Sequence, residues 1–412
     1  MKTSKTVKLM LSMAMLAMFM GCGSEDDGKK DTSPNSSSSS TQSATESEET
    51  TSSNSSSDNE ESNSNDEGTL EVSRTPFIVK IRADYNVIRI KGGEGFNYNV
   101  DWGDGTNDSG LIEDTEHTYP DKEVYTIQIS GVYPRINFEC QGYDNEHLIS
   151  IEQWGDMQWS SMEEAFKDCD HIIINASDTP DLSKVTNMSS MFATFSENET
   201  TFEGDIRSWD VSNITNMTSL FWGRTNFNQD ISAWNVSKVK YMTFMFYRAT
   251  SFNKDISSWD VSNVESMNNM FFKAKAFNQD IDSWDVSKVQ DMGSMFAGAE
   301  SFNQDISSWD IGSITSTEGY AINSMFYYAT AFNQDLSSWD FSKITSLNDF
   351  MSNTNLSVIN YDKLLKTLLN DDIQDNVFLR MENIQYSKDA ESARFGLINK
   401  HGWDIQDGGL SE

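Results

Sequence analysis

The chain has 412 residues, a formal net charge of −34 and an isoelectric point near 4.3. A surface this acidic repels phosphate backbones and anionic headgroups, so the composition excludes nucleic acid and the bare membrane surface as partners. Basic proteins, cations and neutral glycans remain as possible partners. Only three cysteines occur and the four histidines lie far apart, which argues against a zinc site. The length allows two or three domains.

The first segment has the pattern of an export signal. Lys2, Lys5 and Lys8 precede about a dozen mostly apolar residues over 9–20, too few to span a bilayer. Residues 1–21 are therefore predicted to be a signal peptide.

The motif at its end is Phe19-Met20-Gly21-Cys22, which resembles the lipobox of bacterial lipoproteins. The resemblance implies that Cys22 is lipidated and anchors the chain in the cell envelope through several acyl chains. The acidic cluster at 23–27 is similar to a surface-export signal of bacteria with two membranes, which implies outer-membrane attachment and surface exposure. An ordinary secretory signal with an incidental cysteine is the alternative.

Residues 22–70 are nearly all Ser, Thr, Asn, Asp and Glu, without an aromatic residue. Such a tract cannot bury enough apolar surface to offset the entropy of ordering, so we expect a disordered tether.

Residues 75–140 contain alternating apolar runs between turn residues, as in a small all-β sandwich. The runs are Phe77–Ile81, Val87–Ile90, Phe96–Trp102 and Tyr125–Ile129. The motif Asp101-Trp102-Gly103-Asp104-Gly105 resembles that of immunoglobulin-like PKD domains, which implies a spacer or accessory interaction module. Trp102 is expected in its core. A catalytic pair of Asp101 and Asp104 is the alternative to a turn in which both side chains accept backbone N–H bonds.

The strongest pattern is a repeat of 25 residues, in which the motif Phe-Asn-Gln-Asp-Ile-Ser-Ser-Trp-Asp barely changes. Its tryptophans are Trp209, Trp234, Trp259, Trp284, Trp309 and, after 30 residues, Trp339. A repeat of this length cannot bury its apolar face alone, so successive copies must stack.

Each repeat is predicted to contain one short strand, as over Ile256–Val261, and one short helix, as over Val264–Ala274. This is the plan of an α+β solenoid of the leucine-rich-repeat type, predicted over residues 145–353. The repeats resemble those of BspA-type leucine-rich-repeat surface proteins, a family associated with bacterial lipoproteins. The resemblance implies adhesion to a host protein, a glycan or a neighbouring cell.

Polar residues also recur at fixed positions. Asparagines that suit an amide ladder are Asn228, Asn253, Asn278, Asn303 and Asn333. An acidic column consists of Asp230, Asp255, Asp280, Asp305 and Asp335. Coils with paired strands lie about 4.8 Å apart, which brings like charges together. We expect each carboxylate to accept backbone N–H bonds in its own turn. Binding of Ca²⁺ is the alternative, and no other cofactor is predicted.

The ends of the stack depart from the period. Cys140 and Cys169 lie in the predicted N-terminal cap, either as a disulfide or as two buried thiols. An insertion around Tyr320 must bulge from one edge of the stack, where solenoids often bind ligands. Residues 354–412 are predicted to cap the other end. Helices are predicted there over residues 361–369 and 390–400.

No motif of a known enzyme class occurs, and every repeated aspartate has equivalents, whereas an active site is usually unique. We therefore predict a monomeric binding protein without enzymatic activity, for an extracellular protein or glycan. Candidate ligand contacts are the variable residues Arg224, Tyr247, Arg248, Lys273, Lys275 and Tyr320. The alternatives are a surface glycan-capture or accessory protein of a degradative system, and a self-associating coat protein, which the charge disfavours.

Overall fold

The computed structural model describes residues 73–83, 87–138, 140, 148–196, 200–315, 321–370 and 372–412. The predicted signal peptide, the lipidation site Cys22, the tether and the candidate Tyr320 lie outside these residues. All described residues belong to one compact unit.

Antiparallel strands build the N-terminal module. They are β1 (Ser73–Arg82), β2 (Val87–Ile90), β3 (Asn97–Asp101), β4 (Asn107–Leu111), β5 (Thr115–Thr118), β6 (Val124–Val132) and β7 (Leu148–Gln153). One sheet has the order β4-β3-β6-β1-β7, and β2 pairs with β5 in a second sheet. Successive side chains point to opposite faces of a strand, so Tyr98 and Val100 of β3 are buried between exposed neighbours.

The four predicted apolar runs lie in or beside β1, β2, β3 and β6. Strands β4 and β5 were not predicted because their sequences, Asn-Asp-Ser-Gly-Leu and Thr-Glu-His-Thr, are polar and mostly face solvent. Trp102 is fully buried, as expected, and its Nε1 donates to Asp108 at 2.9 Å. The likeness to PKD domains stays a prediction.

Strand β7 joins this module to the repeats. It pairs with β1 on one side, and Ile151 forms a parallel bridge to Ile174 on the other. Phe77 of β1 stacks on Trp154 at 5.7 Å, and one hydrophobic core runs through both regions. The boundary predicted at residues 140–145 therefore separates two stretches of sequence that share a core.

The repeats are built from turns, so the predicted helix is wrong. Met270 N–H donates to the Met267 carbonyl at 3.1 Å, whereas Met267 N–H donates to Asp291 of the next repeat at 2.9 Å. Asn269 and Lys273 have φ angles of 56° and 55°, which a right-handed helix does not allow. Apolar residues three apart suit successive turns as well as a helix. A segment this short satisfies its N–H groups on the neighbouring repeat without the cost of a helix nucleus.

The predicted strand of each repeat is also replaced by turns. Trp259 N–H donates to the Ile256 carbonyl at 3.2 Å, and Val264 N–H to the Val261 carbonyl at 2.8 Å. Parallel bridges between repeats lie instead just before the methionine-rich segment, which is Met267–Ala274 in one repeat and its equivalents in the others. This row consists of Asn187, Asn216, Tyr241, Ser266 and Asp291. Successive repeats thus stack through backbone hydrogen bonds.

Identical side chains form ladders along this stack. Trp284 lies parallel to Trp259 and Trp309, with ring centroids 6.5 and 6.4 Å away. Its Nε1 donates to the carbonyl of Ile256 at 3.1 Å. Asparagine N–H groups donate to the asparagine side chain one repeat earlier, as predicted, at Asn253, Asn278, Asn303 and Asn333. The near-identity of the repeats follows, because each copy must fit the one before it.

The ends have more regular elements. Near the N-terminal end, β8 (His171–Ile173) pairs with β9 (Thr201–Glu203), and Cys140 forms a disulfide with Cys169. The C-terminal elements are β10 (Ser346–Leu347), α1 (Val358–Asn370), β11 (Phe378–Met381), α2 (Lys388–His401) and β12 (Asp404–Asp407). The three strands pair in parallel, and α1 and α2 contain the two predicted helices. Neither of these helices, nor any other described helix, has the length and apolar content to cross a membrane.

Candidate functional site

Arg224 is fully buried, which contradicts its predicted place at the surface. Its guanidinium donates to the carbonyls of Phe192, Asp170 and Cys169 at 2.5, 2.7 and 2.5 Å. Burial lowers the pKa of Arg224, and the charges of Asp170 and Asp168 counteract that effect. Arg224 therefore ties three backbone segments of the N-terminal coils together and is not available to a ligand.

The repeat register explains this error. Arg224 stands 25 residues before Ala249 and 50 before Ala274, and both alanines are fully buried. A long side chain in this column cannot reach solvent. It extends to the more irregular N-terminal coils, where the carbonyls of Cys169 and Phe192 have no other donor among the described residues and one guanidinium can satisfy both.

Lys275 lies at the surface, but it is occupied by an ion pair. Its Nζ is 2.9 Å from Glu300 Oε1 in the next repeat. The remaining predicted residues, Tyr247, Arg248 and Lys273, come together on one surface of the stack.

That surface carries four aromatic side chains from consecutive coils, which we call the aromatic stripe: Phe195, Trp222, Tyr247 and Phe272. The ring centroids of Trp222 and Tyr247 are 4.1 Å apart, and those of Tyr247 and Phe272 are 4.6 Å apart, with interplanar angles of 25° and 5°. Phe195 adjoins Trp222 at 5.3 Å. Phe195 is 53% exposed and the other three rings are half-buried. The buried Phe244 packs under Trp222 at 4.8 Å.

The sequence forms the stripe because three consecutive repeats carry an aromatic doublet at the same position, before Ala297 interrupts the series. The doublets are Phe221-Trp222, Phe246-Tyr247 and Phe271-Phe272. The first ring of each doublet is fully buried in the core, and the turn directs the second ring to the surface. Sequence reasoning missed Phe195, Trp222 and Phe272, although the doublets at 25-residue spacing were a usable signal.

Basic side chains border the aromatic stripe. Arg248 and Lys273 are exposed, and each directly follows a stripe residue in the chain. Lys273 Nζ lies 5.5 Å from the ring centroid of Phe272, and Lys167 Nζ lies 5.5 Å from that of Phe195. Lys167 is paired with Glu164, whereas Arg248 and Lys273 form no ion pair with any described residue. The stripe is thus bordered by two cations whose charge is uncompensated there.

The charge of Arg248 also acts on the hydroxyl of Tyr247. Burial raises the pKa of Tyr247, and the Arg248 charge acts in the opposite direction. The hydroxyl therefore stays protonated at neutral pH and can donate a hydrogen bond to an anion.

The acidic column has backbone partners. Asp255 Oδ1 accepts the Ser257 N–H at 2.9 Å, and this bond lowers the pKa of Asp255. Equivalent bonds two residues along the chain are made by Asp230, Asp280, Asp305 and Asp335. In the described ranges, no three or more Asp, Glu, His or Cys side chains form a group that could hold a metal ion.

The aspartates of the N-terminal module also have structural partners. Asp101 accepts the Gly103 N–H at 2.9 Å. Asp104 accepts both the N–H and the hydroxyl of Thr106, and its other oxygen lies 2.8 Å from Nε2 of His117. The pKa of Asp104 is lowered to about 2, and the main cause is the hydrogen bonding from Thr106. Asp101 and Asp104 thus both accept backbone N–H groups of their own turn, as expected for a structural role.

Comparison with known proteins is informative for the repeats. Residues 160–271 and 254–363 match the model of a family described as Mycoplasma protein of unknown function, DUF285. No curated protein and no solved structure matches the chain. The two overlapping matches cover the stacked coils from the first methionine-rich segment into α1. The chain is therefore a repeat protein whose repeat region is similar to the DUF285 family.

Proposed function

We propose that this chain is a lipid-anchored protein of the bacterial cell surface, and that its repeats form a solenoid that binds an extracellular protein or glycan without enzymatic activity. The observation that carries the proposal is the aromatic stripe. A contiguous row of partly exposed rings with bordering cations is unusual on a solvated surface and common at binding sites. Trp, Tyr and Arg are also the residue types that contribute most to binding energy at interfaces.

The anchoring part of the proposal depends on Cys22 and the segment before it. In the native bacterium, the wild-type chain should fractionate with membranes and be cleaved by protease added to intact cells. Cys22→Ser should move the chain to the soluble fraction, because no acyl chain can then attach. A membrane-bound Cys22→Ser variant would contradict lipid anchoring. Protection of the wild-type chain in intact cells would contradict surface exposure.

The binding part is tested on an array of extracellular matrix proteins and glycans probed with the full chain. Arg248→Gly combined with Lys273→Gly removes the cations of the stripe. Lys238→Ala combined with Lys288→Ala is the matched control, because both lysines are exposed and the change in net charge is the same. We expect a ligand whose binding is lost in the first variant and kept in the second. No binding across a broad panel would contradict the proposal.

A further inference from the structure

The aromatic stripe has positive charge beside Tyr247 and Phe272, whereas at its other end the Asp168 carboxylate accepts the Phe195 N–H at 3.1 Å. The chain carries a formal charge of −34, yet the exposed charges that directly follow stripe residues in the sequence are those of Arg248 and Lys273. Neither side chain pairs with a carboxylate of the described residues. Two uncompensated cations next to apolar rings favour a ligand that combines negative charge with apolar groups.

The orientation of the rings narrows the ligand class. Tyr247 is covered on one face by Trp222 and on the other by Phe272, at 4.1 and 4.6 Å. Its exposed part is therefore the ring edge, which carries partial positive charge. Sugars and nucleobases that stack on aromatic side chains need an open ring face. Ring edges beside cations suit carboxylates and aliphatic side chains better.

The backbone N–H groups beside the stripe are already hydrogen-bonded within the stack. The N–H groups of Arg248 and Lys273 both donate to the next repeat, to the carbonyls of Phe272 and Ala297, at 2.7 Å each. A peptide cannot pair with donors that are already used, so recognition must depend on side chains. The stripe crosses consecutive coils, which suits a segment that lies extended along the stack.

The net negative charge of the chain favours an acidic peptide over a polyanionic polymer as the ligand. A sulfated or uronic acid polymer carries a charge on most of its units and is repelled by the net negative charge of the chain. A peptide with two or three carboxylates among apolar residues meets the two cations with little of that repulsion.

We propose that the aromatic stripe binds an extended acidic peptide segment of a partner protein, with apolar side chains against the ring edges and carboxylates on Arg248 and Lys273. This inference rests on the proposed binding function and names its ligand class. Tyr247 donates a further hydrogen bond through its hydroxyl.

The repeats supply a variant that removes the cations with little disturbance. Arg248 and Lys273 have positive φ angles of 59° and 55°, and the equivalent residues of the flanking repeats are Gly223 and Gly298. Glycine adopts this conformation without the steric cost that other residues meet. Arg248→Gly with Lys273→Gly therefore reproduces a backbone that the stack already contains.

The test is selection of a random dodecapeptide display library on the immobilised full chain, followed by titration of the most enriched synthetic peptide. We expect enriched peptides to combine Asp or Glu with apolar residues. The double glycine variant should weaken binding about tenfold or more, the scale of two lost charge-assisted contacts. Lys238→Ala with Lys288→Ala should leave the affinity within about twofold, since these exposed lysines donate to Asn213 and Asn263 of the preceding repeats.

Other outcomes would overturn the inference. These are enrichment of basic or uncharged peptides, equal losses in both double variants, and tighter binding of polygalacturonate than of any selected peptide. In the last case a stripe-dependent glycan would keep the proposed function and refute the ligand class. If neither peptides, proteins nor glycans bind, the proposed function fails as well.

Salt dependence gives a measure that needs no variant. Wild-type affinity should fall about threefold or more between 50 and 300 mM NaCl, because exposed ion pairs are screened. A salt-independent affinity would refute the role of the two cations even if the glycine variant unfolds.

Discussion

Replacement of Arg224 by methionine tests whether this arginine holds the N-terminal coils together. Methionine keeps most of the apolar length and removes the guanidinium. The Asp170 carbonyl retains a second donor, the Thr201 N–H at 3.0 Å. The carbonyls of Cys169 and Phe192, both in fully buried residues, have no other donor among the described residues.

The expected cost follows from these two carbonyl groups. Each buried acceptor left without a donor costs about 1 to 3 kcal/mol. Relief of the buried charge and the added apolar contact offset part of that cost, by about 1 to 2 kcal/mol. With central values of about 2 kcal/mol for each carbonyl and about 1.5 kcal/mol for the offset, Arg224→Met should destabilise the N-terminal coils by about 2.5 kcal/mol.

The assay is urea unfolding together with hydrogen exchange of residues 160–230, because coils of a stacked repeat protein can open locally. Arg248→Met is the matched control, since this arginine is exposed and makes no ion pair with the described residues. Its effect should stay below about 0.5 kcal/mol. If the two variants lose equal stability, or if exchange at residues 160–230 is unchanged in Arg224→Met, the structural role of Arg224 is refuted.

Three further predictions concern the core, the N-terminal module and the acidic column. In urea unfolding, Trp284→Ala should lower the free energy of unfolding by about 3 to 5 kcal/mol, and Trp284→Phe by only about 1 to 2 kcal/mol. The reason is that phenylalanine keeps the ring stacking and loses only the hydrogen bond to the Ile256 carbonyl. Equal losses in the two variants would show that ring stacking does not contribute separately. The pKa of Asp104 is about 2 in the folded chain against its ordinary 3.8, so its contribution to stability is present above about pH 4 and lost towards pH 2. The difference in thermal midpoint between wild type and Asp104→Asn should therefore shrink over that range, and a constant difference would count against it. Chelation by EGTA should leave the thermal midpoint unchanged, because the acidic column is satisfied by backbone N–H groups; a fall of about 5 °C or more would indicate bound Ca²⁺.

The stacked core was predictable from the sequence. Trp259 and Trp284 stand 25 residues apart in nearly identical surroundings, and the repeat is too short to bury a tryptophan by itself. Stacking is then the one arrangement that removes these rings from water. The asparagine ladder follows from the same register, because an amide at a fixed position reaches the backbone of the next copy.

The local backbone was not predictable in the same way. The apolar spacing in the segment from Met267 to Ala274 suits both a helix and a series of turns. The choice depends on where its N–H groups find acceptors. Acceptors in the next repeat, such as the Asp291 carbonyl, are close only after the repeats have stacked. The apolar pattern of one segment does not show whether its N–H groups will bond within the segment or to the next repeat.

Arg224 and Arg248 show the same limit for side chains. The two arginines are 24 residues apart, and composition alone makes both of them surface candidates. A shift of one position in the repeat places Arg224 in the buried alanine column and Arg248 at the exposed end of a turn. Alignment of the repeats contains this difference, although the reason for it is visible only in the packed stack.

The sequence by itself determined the repeat, its stacked core and the acidic total of the chain, because these depend on period and composition. Only the tertiary structure decided which variable residues meet. Trp222, Tyr247 and Phe272 form a stripe because turns direct them to one surface and stacking brings them within ring contact. Net charge is a sum over all residues, whereas the charge at a site depends on the few side chains placed there.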